Sequence, residues 1–382
     1  MEFLFDGILA VTWQQLVMFA VGFILIYLAI AKDYEPSLLL PMGFGAILVN
    51  LPFSGVLNQT VAGIGESAGV IEWLYQTTIA SSEVLPLLLF IGIGAMIDFG
   101  PLLANPIMFL FGAAAQFGIF VAISVAALMG FSLTDAASIG IIGAADGPTA
   151  ILVSQVLRSS YLGPIAVAAY SYMALVPIIQ PFAIRLVTSK KERKIRMTYH
   201  PKSVTRMTRI IFPIAVTIIA GFIAPMSVAL VGFLMFGNLI RECGCLNRLS
   251  ETAQNALANL ITLLLGITIS FSMVADKFVT VQTLLIMCLG LVAFIFDTLA
   301  GVLFAKFLNL FRKEKFNPMI GGCGISAFPM SSRVVAKMAI KEDNQNHLLM
   351  HAAGSNVSGQ IASVLAGGMV LNLIPKILET MH

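Results

Sequence analysis

Long apolar segments follow one another along almost the whole chain and constrain its fold more than any other feature. Several approach or exceed the roughly 20 residues that a helix needs to cross a bilayer. Since 58% of the residues are hydrophobic and 11% are charged, the composition excludes a soluble protein. We therefore predict an all-α polytopic membrane protein. The apolar segments run over 13–31, 37–53, 84–97, 107–130, 138–157, 161–187, 210–224, 226–240, 255–273, 278–310, 318–338 and 348–378.

One carboxylate, Asp146, lies in the middle of an apolar segment. Gly143 precedes it, and Gly147 and Pro148 follow it, so a regular helix cannot continue through this point. Irregular backbone at membrane depth is tolerated where it is buried in protein or lines a wet cavity. An acid at such a position is by default a functional candidate. Its structural alternative is an N-cap for the helix from Thr149 onward, and both readings can hold together.

Basic residues concentrate in two loops and predict the orientation of the chain. Segment 190–209 contains eight Lys and Arg against one Glu, and Arg312, Lys313 and Lys315 form a second cluster. Because such loops stay on the cytoplasmic side, counting spans from segment 190–209 places both termini outside. Segment 138–157 then enters and leaves from the outside, and segment 318–338 from the inside.

Two re-entrant hairpins from opposite faces are typical of inverted repeats. Weak internal similarities share an offset of about 180 residues, as expected for such repeats. They pair PMGFGAILVN with ALVGFLMFGN, and GAADGPTAI with GCGISAFPMSSRV. We predict about ten spanning helices plus two hairpins, in an architecture like that of elevator transporters. The predicted units are an N-terminal span (1–36), repeat 1 (37–189, hairpin 138–157), the cytoplasmic loop (190–209) and repeat 2 (210–382, hairpin 318–338).

Segment 54–82 is less apolar than its neighbours. It contains GIGESAGVIEWLY, in which polar and apolar residues are mixed. We predict an amphipathic helix at the membrane interface rather than a span.

The repeat brings distant polar residues into register with Asp146. Ser326 on the second hairpin, and Tyr172 and Asn356 in the spans that follow the hairpins, become its candidate neighbours. One carboxylate with hydroxyl, amide and carbonyl oxygens suits a hard monovalent cation. A proton would compete with that cation for the carboxylate.

Two further cations and an amide flank the second hairpin. Asn317 precedes it, and Arg333 and Lys337 lie at its far end. The two cations either anchor the cytoplasmic end of the helix or bind a carboxylate. The sequence leaves both interpretations open.

These residues carry a family resemblance in GIIGAADGPTAI (140–151), NPMIGGCGISAFPMSSRV (317–334) and GSNVSGQIASVLAGG (354–368). The chain resembles, nearly end to end, the beta subunit of the sodium-pumping biotin-dependent decarboxylases that act on oxaloacetate, methylmalonyl-CoA, glutaconyl-CoA or malonate. Cys323 and Phe328 stand where smaller residues are commoner in that family.

The resemblance implies a function and a set of site residues. The subunit would decarboxylate carboxybiotin, consume a proton and export Na⁺. Asp146 would bind Na⁺ and exchange a proton, and Tyr172 would handle the proton. Arg333 would correspond to the family's arginine after the hairpin and take part in catalysis. If Arg333 and Lys337 form a carboxylate clamp, both would bind the carboxybiotin. The remaining Na⁺ ligands would be Asn317, Ser326 and Asn356.

The resemblance also implies partners. Biotin would arrive on a separate carrier protein, because the chain lacks an Ala-Met-Lys-Met tetrad and the nearest match is Ala336-Lys337-Met338. A carboxyltransferase alpha subunit, a small single-span gamma or delta subunit and a homotrimeric core in the cell (inner) membrane are expected, with no nucleic acid. The alternative is an elevator-type Na⁺/carboxylate secondary transporter, since fold alone does not decide function.

Overall fold

The structure is a computed structural model that describes residues 6–33, 35–61, 65–81, 84–198 and 204–381. The first half contains α1 (Asp6–Leu9), α2 (Trp13–Lys32), α3 (Pro36–Asn50), β1 (Asn58–Val61), β2 (Gly65–Ala68), α4 (Val70–Tyr75), α5 (Val84–Met96), α6 (Gly100–Ala104), α7 (Phe109–Ala115), α8 (Phe117–Leu128), α9 (Leu133–Gly140), α10 (Gly147–Val156) and α11 (Leu162–Val187). The second half contains α12 (Lys190–Arg193), α13 (Arg206–Ile223), α14 (Val228–Glu242), α15 (Asn247–Thr252), α16 (Ala258–Ile269), α17 (Ala275–Phe278), α18 (Val281–Leu308), α19 (Met330–Glu342) and α20 (Leu349–Met381).

Among the described residues, six helices are long and apolar enough to cross a membrane, and two bent pairs could raise the number to eight. The chain is therefore a multi-pass membrane protein with helical spans. Segments 278–310 and 348–378, predicted from their apolar runs, form the long helices α18 and α20. The inverted repeat, the number of about ten spans and the elevator-like arrangement stay predictions.

The prediction for segment 54–82 is wrong in its first part. β1 and β2 form an antiparallel hairpin in which Asn58 is opposite Ala68. Helix begins only at Val70 and continues through a π-helical turn to Ala80. A short hairpin satisfies backbone groups pairwise, and the polar, Gly-containing stretch before Val70 favours strand and turn over helix.

α11 is bent by 71° between Met173 and Leu175. Pro177 lies inside the helix one turn later. Proline has no N–H and its ring clashes with the carbonyl four residues earlier, which is the position of the bend. The bend separates the half of α11 that carries Tyr170 and Tyr172 from the half that leads to the basic loop.

Two helix breaks meet at the centre of the protein. After α9, residues Ile141–Ala144 form a 3-10 turn, and Ala145 has φ 52°, before α10 begins. In the other break, residues Pro318–Gly324 form a 3-10 segment and the chain is extended at Ile325 before α19. The Ser326 N–H donates to the Ala144 carbonyl at 2.9 Å, so the two turns are joined backbone to backbone. α18 and α20 pack against this junction.

Much of the basic loop is tied to the end of α19. Arg193 pairs with Glu342 at 2.9 Å, and Arg196 binds both carboxylate oxygens of Asp343 at 2.7 and 3.0 Å. The Arg196 guanidinium holds the pKa of Asp343 below its usual range. Met1, His382 and residues 199–203 of the loop lie outside the described residues, and the predicted orientation of the termini stays a prediction.

Candidate functional site

Asp146 is the N-cap of α10. Its Oδ1 accepts from the Thr149 N–H at 3.3 Å, and Pro148 occupies the first helical turn, where its missing N–H leaves no bond unmade. The structural reading from the sequence is thus confirmed. It does not exclude an ion site, because the second carboxylate oxygen points elsewhere.

The second oxygen of Asp146 gathers two serines from distant parts of the chain. Oδ2 accepts from the Ser326 hydroxyl at 3.1 Å and from the Ser363 hydroxyl at 2.8 Å. Asp146 is 4% exposed and, within the described residues, has no ion-pair partner. A serine that donates to a carboxylate keeps lone pairs free for a cation. We call Asp146, Ser326 and Ser363 the serine–aspartate cluster.

Ala145, immediately before the cluster, adopts a left-handed conformation with φ 52°. A non-glycine residue there carries strain of about 1 to 2 kcal/mol. This strain is maintained by the surrounding structure, since Ala145 is fully buried. The turn therefore holds the Asp146 carboxylate in place at a local energetic cost, a pattern common at functional sites.

α20 supports the cluster from the other side. The Gln360 amide donates to the Ser326 carbonyl, and the Asn356 Nδ2 donates to the Ile325 carbonyl at 2.8 Å. A Cβ at Gly359 would lie 2.5 Å from the carbonyl oxygens of both Gly324 and Ile325, so only glycine allows this approach. The second turn is consequently held by backbone contacts and amide hydrogen bonds from one helix.

Several buried oxygens around the junction accept no hydrogen bond from the described residues. They include Asn356 Oδ1, Ser355 Oγ, Tyr170 Oη and both carboxylate oxygens of Asp297, one of which lies 2.7 Å from the position of a Cβ added at Gly143. Oxygen atoms left without donors in a buried site are suited to a cation, which replaces hydration with such ligands. No group of three or more His, Cys, Asp or Glu in the described residues is arranged as a metal site. The donor set around Asp146 therefore fits a hard monovalent cation, with one carboxylate and neutral oxygens.

The two tyrosines of α11 face different neighbours. Tyr172, the predicted proton relay, donates its hydroxyl to the Met287 carbonyl on α18. Tyr170 instead packs its ring against Gly147, where an added Cβ would lie 2.2 Å from Tyr170 Cε1. The sequence reasoning chose Tyr172 and missed Tyr170 because helical phase, and not residue type, distinguishes them. The role of Tyr172 stays a prediction.

Asn317 lies at the start of the second break, where both its Nδ2 and its Oδ1 form hydrogen bonds. Nδ2 donates to the carbonyls of Arg193 and Ile195, both at 2.8 Å, and Oδ1 accepts from the Met319 N–H at 3.1 Å. No described hydrogen bond joins Asn317 to Asp146. The predicted role of Asn317 as a cation ligand thus stays untested, and its observed contacts attach the second turn to the basic loop.

Arg333 and Lys337 are exposed on one side of α19, one helical turn apart. The charge of Arg333 acts on Glu35, at the start of α3: burial raises the pKa of Glu35, and Arg333 partly lowers it. Neither cation contacts the serine–aspartate cluster through a described hydrogen bond. A carboxylate ligand could reach them from solvent.

Comparison with known proteins decides the family. The family model of the Na⁺-transporting oxaloacetate decarboxylase beta subunit matches residues 14–374. The chain belongs to that family. Among its relatives, the methylmalonyl-CoA decarboxylase subunit beta of Propionigenium modestum is 47% identical, with 96% of each chain covered. The glutaconyl-CoA decarboxylase subunit beta of Acidaminococcus fermentans is 48% identical, with 97% of this chain and 96% of the relative covered.

The oxaloacetate decarboxylase beta chain of Haemophilus ducreyi is 43% identical, with 96% of this chain and 97% of the relative covered. These beta subunits carry the names of decarboxylases with three different acyl substrates. Membership in the beta-subunit family therefore confirms the resemblance inferred from the motifs around Asp146, Ser326 and Asn356, and it leaves the acyl substrate undefined.

Proposed function

We propose that this beta subunit decarboxylates carboxybiotin carried by a partner protein and couples this reaction to Na⁺ export. The observation that carries the proposal is the serine–aspartate cluster: one buried carboxylate, shared between two broken helices, with its second oxygen bound to two serines. Such a carboxylate can bind a cation or a proton, and binding of one lowers its affinity for the other. The names of the relatives supply the reaction class.

The reaction balances with one proton. The bond between the ureido nitrogen of biotin and the carboxyl carbon breaks, CO₂ leaves, and the nitrogen takes a proton. We propose that this proton enters from the outer side, passes through Asp146 and is relayed by Tyr172. Protonation of Asp146 removes the negative charge that holds Na⁺, so proton uptake and Na⁺ release become one exchange.

The cation ligands in this proposal are Asp146, Ser326 and Ser363, completed by Asn356 and, as predicted from the motif, Asn317. The support for the first three is their direct hydrogen bonding. The support for Asn356 is a buried side-chain oxygen that lacks a donor among the described residues. The contact of Arg333 and Lys337 with the carboxyl group of carboxybiotin stays a prediction from the sequence and is not needed for this coupling.

The architecture and setting belong to the same proposal. Two inverted repeats (37–189 and 210–382), about ten spans and two hairpins (138–157 and 318–338) would expose the cluster alternately to the two faces of the membrane. The termini would lie outside the cell (inner) membrane and loop 190–209 in the cytoplasm. The partners would be a biotin carrier protein, a carboxyltransferase alpha subunit and a single-span gamma or delta subunit, around a homotrimeric core.

The deciding experiment supplies the purified chain, in proteoliposomes, with free carboxybiotin. Na⁺-dependent CO₂ release with Na⁺ movement is expected. The alternative, a secondary Na⁺/carboxylate transporter, would move a carboxylate intact without releasing CO₂. Uptake of an intact carboxylate with no decarboxylation would therefore overturn the proposed function.

A further inference from the structure

Two basic segments that are distant in sequence meet in one pocket of about 550 Å³, which we call the basic pocket. It is formed by segments 195–198 and 312–316, together with Asn105 and His351. Its charged lining residues are Arg196, Arg312, Lys313, Glu314 and Lys315. The pocket thus carries more positive than negative side chains, on the side of the protein where the predicted cytoplasmic loops converge.

One wall of the basic pocket is formed by an aromatic side chain, Phe316. The Arg312 guanidinium lies over the Phe316 ring, 4.3 Å from its centroid. Asn309 holds Phe316 in place, accepting from its N–H at 2.7 Å and donating to its carbonyl at 2.8 Å. A guanidinium held over an aromatic ring is positioned in advance and keeps N–H groups for a carboxylate.

The cations of the pocket differ in how far they are already neutralised. Arg196 is engaged by both oxygens of Asp343. Arg312 and Lys315 form no ion pair with any described residue. Lys313 likewise forms no ion pair with a described residue, so Arg312, Lys313 and Lys315 are the charges that a ligand would meet.

The basic pocket is also attached directly to the second helix break. Phe316 immediately precedes Asn317, whose amide binds the carbonyls of Arg193 and Ile195. The Asn317 N–H points to the Met197 sulfur at 3.2 Å, and both Ile195 and Met197 line the pocket. A ligand in the pocket would therefore press on the two segments that anchor the turn carrying Ser326.

We propose that the basic pocket, and not the exposed side of α19, receives the carboxylated ring of partner-borne biotin. The inference rests on the proposed function and gives its substrate a binding site. Arg312 and Lys315 bind the carboxylate, the buried Phe316 ring holds the Arg312 guanidinium in place, and the apolar side chains of Ile195 and Met197 accommodate the tether. Arg333 and Lys337 are exposed on α19 and do not line this pocket.

The first test measures decarboxylation of free carboxybiotin by the full chain in proteoliposomes. Arg312→Gln/Lys315→Gln is expected to raise the KM for carboxybiotin about tenfold, as loss of charge-assisted contacts does, with kcat and the Na⁺ activation constant within about twofold. The matched control is Lys190→Gln/Lys191→Gln, which removes two exposed positive charges from α12 outside the pocket. Its KM is expected to stay within about twofold of wild type.

Two results would overturn the inference. If both double variants raise KM equally, the charges act by general attraction and not through the pocket. If Arg333→Gln/Lys337→Gln raises KM while Arg312→Gln/Lys315→Gln does not, the ring binds at α19.

A second readout does not depend on turnover. Cys243, Cys245 and Cys288 are replaced by serine, Glu314→Cys is introduced, and Asp146→Asn prevents consumption of the ligand; the remaining Cys323 is buried. Free carboxybiotin is expected to slow modification of the new cysteine by a negatively charged thiosulfonate at least threefold. Protection of the cysteine in the Asp146→Asn variant, together with no turnover in the protein that keeps Asp146, would retain the pocket and reject the proposed function. Turnover without protection would reject the pocket and retain the function.

Discussion

The Ser363 hydroxyl donates to Asp146 Oδ2 across 217 residues of sequence, at a distance of 2.8 Å. Ser326 shares the same acceptor from the opposite helix break. A carboxylate held by two hydroxyl donors is fixed in orientation before a cation arrives. The loss of either partner should therefore affect the ion before it affects the fold.

Asp146→Asn should abolish Na⁺ binding and CO₂ release while leaving a folded, extractable protein. The amide has nearly the same volume and can still cap α10, but it has no charge to hold the ion. Na⁺ binding to the purified variant and its elution profile in detergent measure the two effects. Na⁺-dependent turnover in this variant would rule out a central role for Asp146.

Ser363→Ala should weaken Na⁺ binding about tenfold, because a hydroxyl bonded to a charged group contributes more than an ordinary hydrogen bond. Ser358→Ala is the matched control. Ser358 is also buried on α20, but its hydroxyl bonds within the helix to the Ser355 carbonyl. Equal effects of the two substitutions on Na⁺ affinity, measured by titration, would mean that the cluster is not the ion site.

Tyr170→Phe should lower Na⁺ affinity without lowering thermal stability, since the lost hydroxyl has no hydrogen-bond partner among the described residues. Tyr172→Phe should have a different effect: turnover should fall more than Na⁺ affinity does. It should also reduce stability by about 1 kcal/mol, because a bond to Met287 is lost. Paired titrations and melting curves of the two variants separate these outcomes. A Tyr172→Phe protein with wild-type turnover would remove the proposed relay.

Apparent Na⁺ affinity should fall as pH is lowered. A proton and Na⁺ compete for the Asp146 carboxylate, so each bound cation displaces up to one proton, and affinity drops by at most about tenfold per pH unit. The measurement is Na⁺ binding to the folded chain over a range of pH at constant ionic strength. Affinity that does not change with pH would contradict the competition between proton and ion.

Asn317→Ala should lower the melting temperature and Na⁺ affinity together. The substitution removes the Asn317 donor from the carbonyls of Arg193 and Ile195, and since Asn346 still donates to Arg193, the cost of about 1 to 3 kcal/mol falls mainly on the Ile195 carbonyl. The turn that carries Ser326 would then lose its anchor. If melting is unchanged while Na⁺ affinity falls, Asn317 acts as a ligand, as the motif predicts, and not as an anchor.

Two of the longest apolar runs predicted their helices well, while the number of about ten spans stays a prediction. The runs 278–310 and 348–378 correspond to α18 and α20 within a few residues. Segment 54–82 failed because its periodicity is weak, and local turn chemistry then favoured a strand hairpin. The orientation of these helices in the membrane rests on the two basic loops and stays a prediction.

The candidate site was predictable only in part. Asp146 was found because a charge in an apolar segment is rare, and Ser326 because the predicted repeat put it in register. Ser363 belongs to a helix with many serines, and nothing in the sequence distinguishes it from Ser355 or Ser358. Only the packing of α20 against both helix breaks selects it.

The backbone bond between Ser326 N–H and the Ala144 carbonyl limits how this protein can move. Pulling the two turns apart would leave one donor and one acceptor bare in an apolar interior, which costs several kcal/mol. A displacement of both turns as one piece keeps the bond intact. The ion would then move together with both turns as one rigid unit. The barrier against ion leakage would lie between this unit and the surrounding helices, and not between the two turns.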